Sequence, residues 1–234
     1  MRCVAAVLVA GLAACTPFAV TPPARTFALD SPSTPAVGHG DVQLDAAGAT
    51  SGLWGPNASS LGGQLRTAIA PDAAMNASVE QLTVGDGGDH AYAGRVGAVL
   101  ANDDHDAALT FGAGGGNAAA AGSWGSVDLG GVVSGTYHWI RPMAAVSVGY
   151  SQPFVRRQFT ASNDDDPVVL QLPSNFIFRL DLGLELGPPR YAVIVGLSAV
   201  EFVMTEPDVV SGPGDPNQNQ GFMVAGLATR ISLD

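Results

Sequence analysis

Asn175-Phe176-Ile177-Phe178-Arg179-Leu180-Asp181-Leu182-Gly183-Leu184-Glu185-Leu186 is the stretch that decides the fold class. Phe176, Phe178, Leu180, Leu182, Leu184 and Leu186 occupy every second position. Ile177, Arg179, Asp181, Gly183 and Glu185 occupy the positions between. Successive side chains of a strand point to opposite faces, so this spacing gives one apolar and one polar-and-small face. A helix would scatter the same residues around its circumference. Gly187-Pro188-Pro189 then predicts a turn, because proline cannot continue a strand ladder. Tyr191, Val193, Val195, Leu197 and Ala199 resume the alternation, with Gly196 and Ser198 opposite. Met223, Ala225, Leu227, Ile231 and Leu233 form a third run, faced by Gly226, Ala228, Arg230 and Ser232.

Upstream runs share the pattern but are richer in Ala and Gly. Tyr92 to Leu100, Ala107 to Ala113 and Ser126 to Val133 alternate, and further candidate strands lie near 41–50, 61–70, 75–84 and 142–152. The expectation is an all-β fold, an antiparallel β-barrel of about eight to ten strands. No fixed-period repeat is visible, which disfavours propellers and solenoids.

Alternation does not say which way the apolar faces point. In a soluble sandwich or barrel they point inward. In a transmembrane barrel they meet lipid, and the other face lines the lumen. Three features favour the membrane version. Charged residues are 13% of the chain, against ~25% in ordinary soluble proteins. The residues opposite the apolar faces, among them Arg66, Glu80, Arg95, Asp106, Asp128, Arg179, Asp181, Glu185 and Arg230, mix both signs with Gly and Ala, as a narrow lumen requires. Tyr137, Trp139, Tyr150, Phe154, Phe176, Phe178, Tyr191 and Phe202 lie near strand ends, where interfacial belts form. Residues 41–234 resemble, in this general pattern, the small outer-membrane barrels of Gram-negative bacteria. A lipid-tethered soluble β domain with a small-ligand cavity is the rival architecture.

The N-terminus carries a separate signal. Met1-Arg2 precedes the apolar run Val4 to Gly11, which ends in Leu12-Ala13-Ala14-Cys15. A basic start, an apolar run and small residues form an export signal. The run is too short to span a bilayer, which takes ~20 apolar residues. Leu12 to Cys15 resembles the lipobox of bacterial lipoproteins. That resemblance implies cleavage before Cys15 and acylation of Cys15 with diacylglycerol and palmitate. Thr16 follows the cysteine, which implies sorting to the outer membrane. Of the two cysteines, Cys3 lies in the leader and Cys15 would carry lipid, so no disulfide is expected. Pro17, Pro22, Pro23, Pro32 and Pro35 make the following stretch read as an extended tether. The expected organisation is a signal peptide over 1–14, lipidated Cys15 and a proline-rich linker over 15–40, and a barrel over 41–234.

Charge and motifs exclude more than they assign. A net charge of −11 argues against nucleic acid and against polybasic membrane attachment. The chain contains no lysine, which removes Walker-type loops, Schiff-base lysines and Ser-x-x-Lys sites. Gly112 to Asn117 lacks a following helix to hold a pyrophosphate and reads as a flexible hairpin loop. Gly85 to Asp89 reads as a hairpin turn. Asp103, Asp104, His105 and Asp106, and likewise Asp164, Asp165 and Asp166, lack calcium-loop spacing and read as solvated loops. His39, His90, His105 and His138 show no ligand spacing. Gly149 to Pro153 and Gly196 to Val200 lack the second glycine of a nucleophile elbow. The expected role is structural or interactive, with no catalytic residues, cofactor or metal. The expected partner is the membrane, through the Cys15 acyl chains and, in the transmembrane version, the barrel wall. An outer-membrane enzyme acting on lipid or glycan stands as the further alternative.

Overall fold

The computed structural model describes residues 20–27, 29–50, 58–84, 89–161, 168–188, 190–207, 209–212 and 219–233. Among them there is no helix. The strands are β1 Gly40–Thr50, β2 Ala58–Ala70, β3 Ala73–Val84, β4 Asp89–Ala101, β5 Ala107–Ala118, β6 Gly122–Ser134 and β7 Ile140–Pro153. Short β8 Phe159–Ala161 and β9 Val168–Leu170 follow, then β10 Asn175–Leu186, β11 Tyr191–Met204, short β12 Val209–Ser211 and β13 Gln220–Leu233. The long strands close into a barrel of ten, in the order β1-β13-β11-β10-β7-β6-β5-β4-β3-β2. Every pairing is antiparallel, and β1 against β13 seals the cylinder from Gly40↔Leu233 to Thr50↔Met223. Closure leaves the barrel no free edge.

The predicted runs match these strands, and Asn175 to Leu186 is β10 from end to end. Gly112 to Asn117 is a correction: it lies within β5, paired with Ser123 to Asp128 of β6. The glycines serve close approach there, not flexibility. A β-carbon at Gly114 would press 2.7 Å from Cβ of Ala24, inside the barrel. Gly85 to Gly88 and Asp164 to Asp166 lie outside the described residues.

The barrel has two unlike ends. At one, strands join through the brief turns at 71–72, 102–106, 135–139 and 187–190. Asn102 organises one of these, its Oδ1 accepting from the amides of Asp106 and Ala107 at 3.1 and 3.0 Å. At the other end the connections 154–174 and 205–219 carry β8, β9 and β12, which pair as a small separate sheet. Its Val168 and Leu170 pack with Leu82 and Trp124 at the barrel mouth.

The direction of the apolar faces is outward. On β10, Phe176, Phe178, Leu180, Leu182 and Leu184 are exposed, while Ile177, Arg179, Asp181 and Glu185 are buried. Leu182 is 56% exposed and its neighbour Asp181 only 2%. Leu61, Val79, Val96, Leu129, Val146 and Leu197 extend the same apolar surface around the wall. Strands of 12 to 14 residues, such as β10 and β7, can cross a ~30 Å hydrocarbon layer at a tilt of ~45°. Tyr137, Trp139 and Tyr191 stand exposed at the brief-turn end, and Phe154 and Phe176 at the other. Tyr150 packs on Phe176 there, with ring centroids 5.1 Å apart. Phe202 departs from the expected belt and points into the barrel, where it is buried. Asp106 departs too: it sits exposed in the turn at 102–106 and does not line the lumen.

Candidate functional site

The lumen is occupied by the chain itself. Residues 20–27 and 29–35, read from sequence as part of a proline-rich linker, run inside the barrel from the mouth with the small sheet to the brief-turn end. Thr21, Ala24, Arg25, Phe27, Leu29, Asp30 and Ser31 are all buried. The linker expectation is corrected over this stretch. Proline favours an extended chain with few donors, which suits a solvated tether and equally suits a strand-free thread through a narrow polar tube.

The thread is fixed at successive levels. At the mouth, the Thr21 amide donates to Asn175 Oδ1 at 3.0 Å, and Asn175 Nδ2 donates back to the Thr21 carbonyl at 3.2 Å. Ser151 Oγ donates to the Pro22 carbonyl at 3.0 Å. Below, the Ala24 amide donates to Ser126 Oγ at 3.1 Å and the Thr26 amide to Glu80 Oε2 at 2.7 Å. Near the far end, Arg66 Nη1 donates to the Ser31 carbonyl at 2.8 Å and Arg141 Nη1 to Ser33 Oγ at 3.0 Å. Thr34 Oγ1 finally donates to the Pro71 carbonyl at 2.8 Å. A turn closed by the His39 amide on the Ala36 carbonyl, with Gly38 at φ 82°, reverses the chain into β1. Only a residue without a β-carbon takes that conformation freely.

At mid-height the contact is apolar. Phe27 and Leu29 join a cluster with Met143, Ile177, Ile194, Val200 and Val224. Room for them comes from three glycines at one level of three neighbouring strands. Gly183 of β10 pairs with Gly196 of β11, which pairs with Gly226 of β13. A β-carbon at Gly183 would overlap Leu29, and one at Gly226 would overlap the Phe27 ring.

Ion pairs fill the remaining interior. Arg25 of the thread meets Asp30 at 2.8 Å and Asp45 at 3.6 Å. Arg66 holds Asp41 through Nε and Nη2 at 3.0 and 2.6 Å. Arg95 grips Asp128 through two bonds of 2.8 and 2.6 Å, crossing over Gly112, where a β-carbon would overlap the guanidinium. Arg179 donates to Asp181 at 2.7 Å and to Ser198 Oγ at 2.9 Å, and Nη1 donates to the Arg25 carbonyl at 3.4 Å. Arg230 and Arg141 converge on Glu185 at 2.5 and 3.5 Å. A charge removed from water is tolerated when it is paired, and each of these charges has an opposite partner, although Arg25 Nε and Nη2, Arg230 Nη1 and Glu185 Oε2 have no hydrogen-bond partner among the described residues. Among the described residues the interior is therefore filled by ion pairs packed around the thread.

The residues read from sequence as lumen-facing, Arg66, Glu80, Arg95, Asp128, Arg179, Asp181, Glu185 and Arg230, are thus brought together. The thread residues Arg25, Phe27, Leu29 and Asp30 were not legible as their partners. One usable signal was present: a linker that only spaces has no need of Arg25, Phe27, Leu29 and Asp30 among its prolines. His39, His90 and His138 are exposed, and His105 lies 3.2 Å from Thr34 Oγ1 through Nδ1. Among the described residues no three His, Cys, Asp or Glu side chains gather as a metal site. Cys15 lies outside the described residues.

No protein-family model matches the chain, and no curated protein matches it. Among solved structures, the N-terminal β-barrel domain of Pseudomonas aeruginosa OprF is similar at 10% identity, with a TM-score of 0.36 over 82% of this chain and 97% of that one. Neisserial surface protein A is similar at 11% identity, with a TM-score of 0.40 over 83% and 97%. The outer-membrane protease OmpT from Escherichia coli is similar at 8% identity, with a TM-score of 0.44 over 90% and 100%.

Proposed function

We propose that this chain is an outer-membrane β-barrel that seals its own lumen with its N-terminal segment and acts as a structural or interaction protein, not as an enzyme. One observation carries the reading: the apolar strand faces point outward, around an interior of paired charges and threaded backbone. Water would leave that outer surface unsatisfied as a monomer, since soluble proteins rarely expose contiguous apolar patches beyond a few hundred Å². A bilayer accepts it, because every barrel strand has partners on both sides.

Orientation follows from the two ends. Outer-membrane barrels turn briefly on the periplasmic side and carry longer loops outside. The end with β8, β9 and β12 is then the cell surface. Val20 lies at that end. Cys15 precedes it by five residues, and an extended chain of that length reaches about 18 Å at most. An acyl anchor on Cys15 would therefore enter the outer leaflet beside the loops. Two or more acyl chains, each adding ~0.8 kcal/mol per buried methylene, hold such an end stably. The surface loops are left to contact a partner.

The test uses the full chain with Cys15→Ser, so that lipid cannot account for membrane affinity. The expected result is a protein that needs detergent, migrates faster on a gel unless boiled, and passes little current in a planar bilayer. A soluble monomer with β circular dichroism in plain buffer overturns the membrane reading.

A further inference from the structure

Above the salt-bridged levels the interior changes character. Between the small sheet and the thread lies a cavity of about 260 Å³. Pro22 of the thread, Phe159 of the small sheet, and Leu82, Trp124, Phe202 and Phe222 of the barrel wall line it. Phe202 and Phe222 meet edge to face with centroids 5.2 Å apart, so this wall is firm. Two titratable side chains line it: Arg179, already bound to Asp181, Ser198 and the Arg25 carbonyl, and His90, exposed and engaged through Nδ1 with Gln81 and Thr83 at 3.3 and 3.2 Å. Among the described residues, then, no carboxylate lines the space, and its one guanidinium is already engaged.

One polar atom at this site lacks a partner. Trp124 is 1% exposed, and its Nε1 has no acceptor among the described residues. A buried indole N–H ordinarily finds one. The ring is also held in place, since its six-membered edge covers Gly116 so closely that a β-carbon there would overlap it. Apolar walls with a few oriented polar groups are the general form of a small-molecule site.

We propose that this chamber binds an aliphatic chain carrying one uncharged acceptor oxygen, of the neutral ester class, with Trp124 Nε1 as donor. The apolar walls take the chain. The indole fixes the ester oxygen. A carboxylate is disfavoured because it would lose water while Arg179 stays paired with Asp181.

The experiment labels the full-length protein with 5-fluorotryptophan and follows fluorine resonances as methyl decanoate is added. The Trp124 signal is identified by its loss in Trp124→Phe. The expected result is a saturable shift at Trp124 and none at Trp139, which stands exposed at the opposite end. Ala91→Phe or Val224→Phe, each filling the cavity from a different strand, should abolish the shift while circular dichroism reports an intact β fold. Decanoate at alkaline pH should bind at least about tenfold more weakly than the ester. An unmoved Trp124 signal overturns the proposal. So does a shift that persists in both filled variants, which would mark bulk partitioning. Equal binding of ester and carboxylate overturns the assignment of ligand class.

Discussion

Phe27 lies over Gly226 so closely that any β-carbon at residue 226 would overlap its ring. The two are far apart in sequence, one in a proline-rich stretch and the other on the last strand. Their contact couples the thread to the wall. Gly196, next to Gly226 across the ladder, shares the task, since a β-carbon there would sit 3.2 Å from the Phe27 ring.

Gly226→Val should therefore destabilise the barrel by about 1–3 kcal/mol, the usual cost of overpacking. Phe27→Ala should cost about 3–5 kcal/mol by leaving a cavity. Together they should cost less than the sum, because the alanine vacates the space the valine needs. Equilibrium unfolding in urea from lipid vesicles measures all three. Strict additivity would show that the two residues do not touch.

The pair Arg66–Asp41 sets a second expectation. Both side chains are buried and joined at 2.6 Å. Arg66→Met alone should cost about 3–5 kcal/mol, because Asp41 is left buried and unpaired. Arg66→Met with Asp41→Leu should recover much of that loss. Arg66 also holds the Ser31 carbonyl, so the double variant should still loosen the thread. Limited proteolysis near Ser31 reads that loosening.

Deleting residues 20–34 should open the lumen. Single-channel recording should then show discrete conductance steps that the intact protein lacks. Equal currents from both would mean that the thread is not a seal.

Leu182→Arg tests the outer face. Leu182 is exposed in the middle of β10. At a bilayer midplane an arginine costs about 2–4 kcal/mol. On a water-facing wall the substitution would be near neutral, so the unfolding free energy in vesicles separates the two settings.

The course of the thread predicts sidedness. In a Cys15→Ser background, Val20→Cys should react on intact cells with a membrane-impermeant maleimide, as should Arg157→Cys in the loop at 154–174. Val37→Cys, beside the turn into β1, should react only after the outer membrane is permeabilised. Labelling of positions 20 and 37 from the same side would contradict passage through the lumen.

The sequence by itself determined the strands. Alternation at a period of two is a local property, and Asn175 to Leu186 carries it without reference to any other part of the chain. The polar set opposite the apolar faces was legible for the same reason, apart from Asp106, which a turn removes from the ladder. What alternation cannot encode is the sign of curvature, because the two faces of a strand exchange roles when the sheet closes the other way. Closure of β1 on β13 decided that the leucines face out. Tertiary structure alone also decided the fate of residues 20–27 and 29–35. Their conformation is extended in either setting, so nothing local separates a free linker from a thread. The difference lies at Gly183, Gly196 and Gly226, three distant positions that meet only when strand pairing brings them level, and that leave the space into which Phe27 and Leu29 pack.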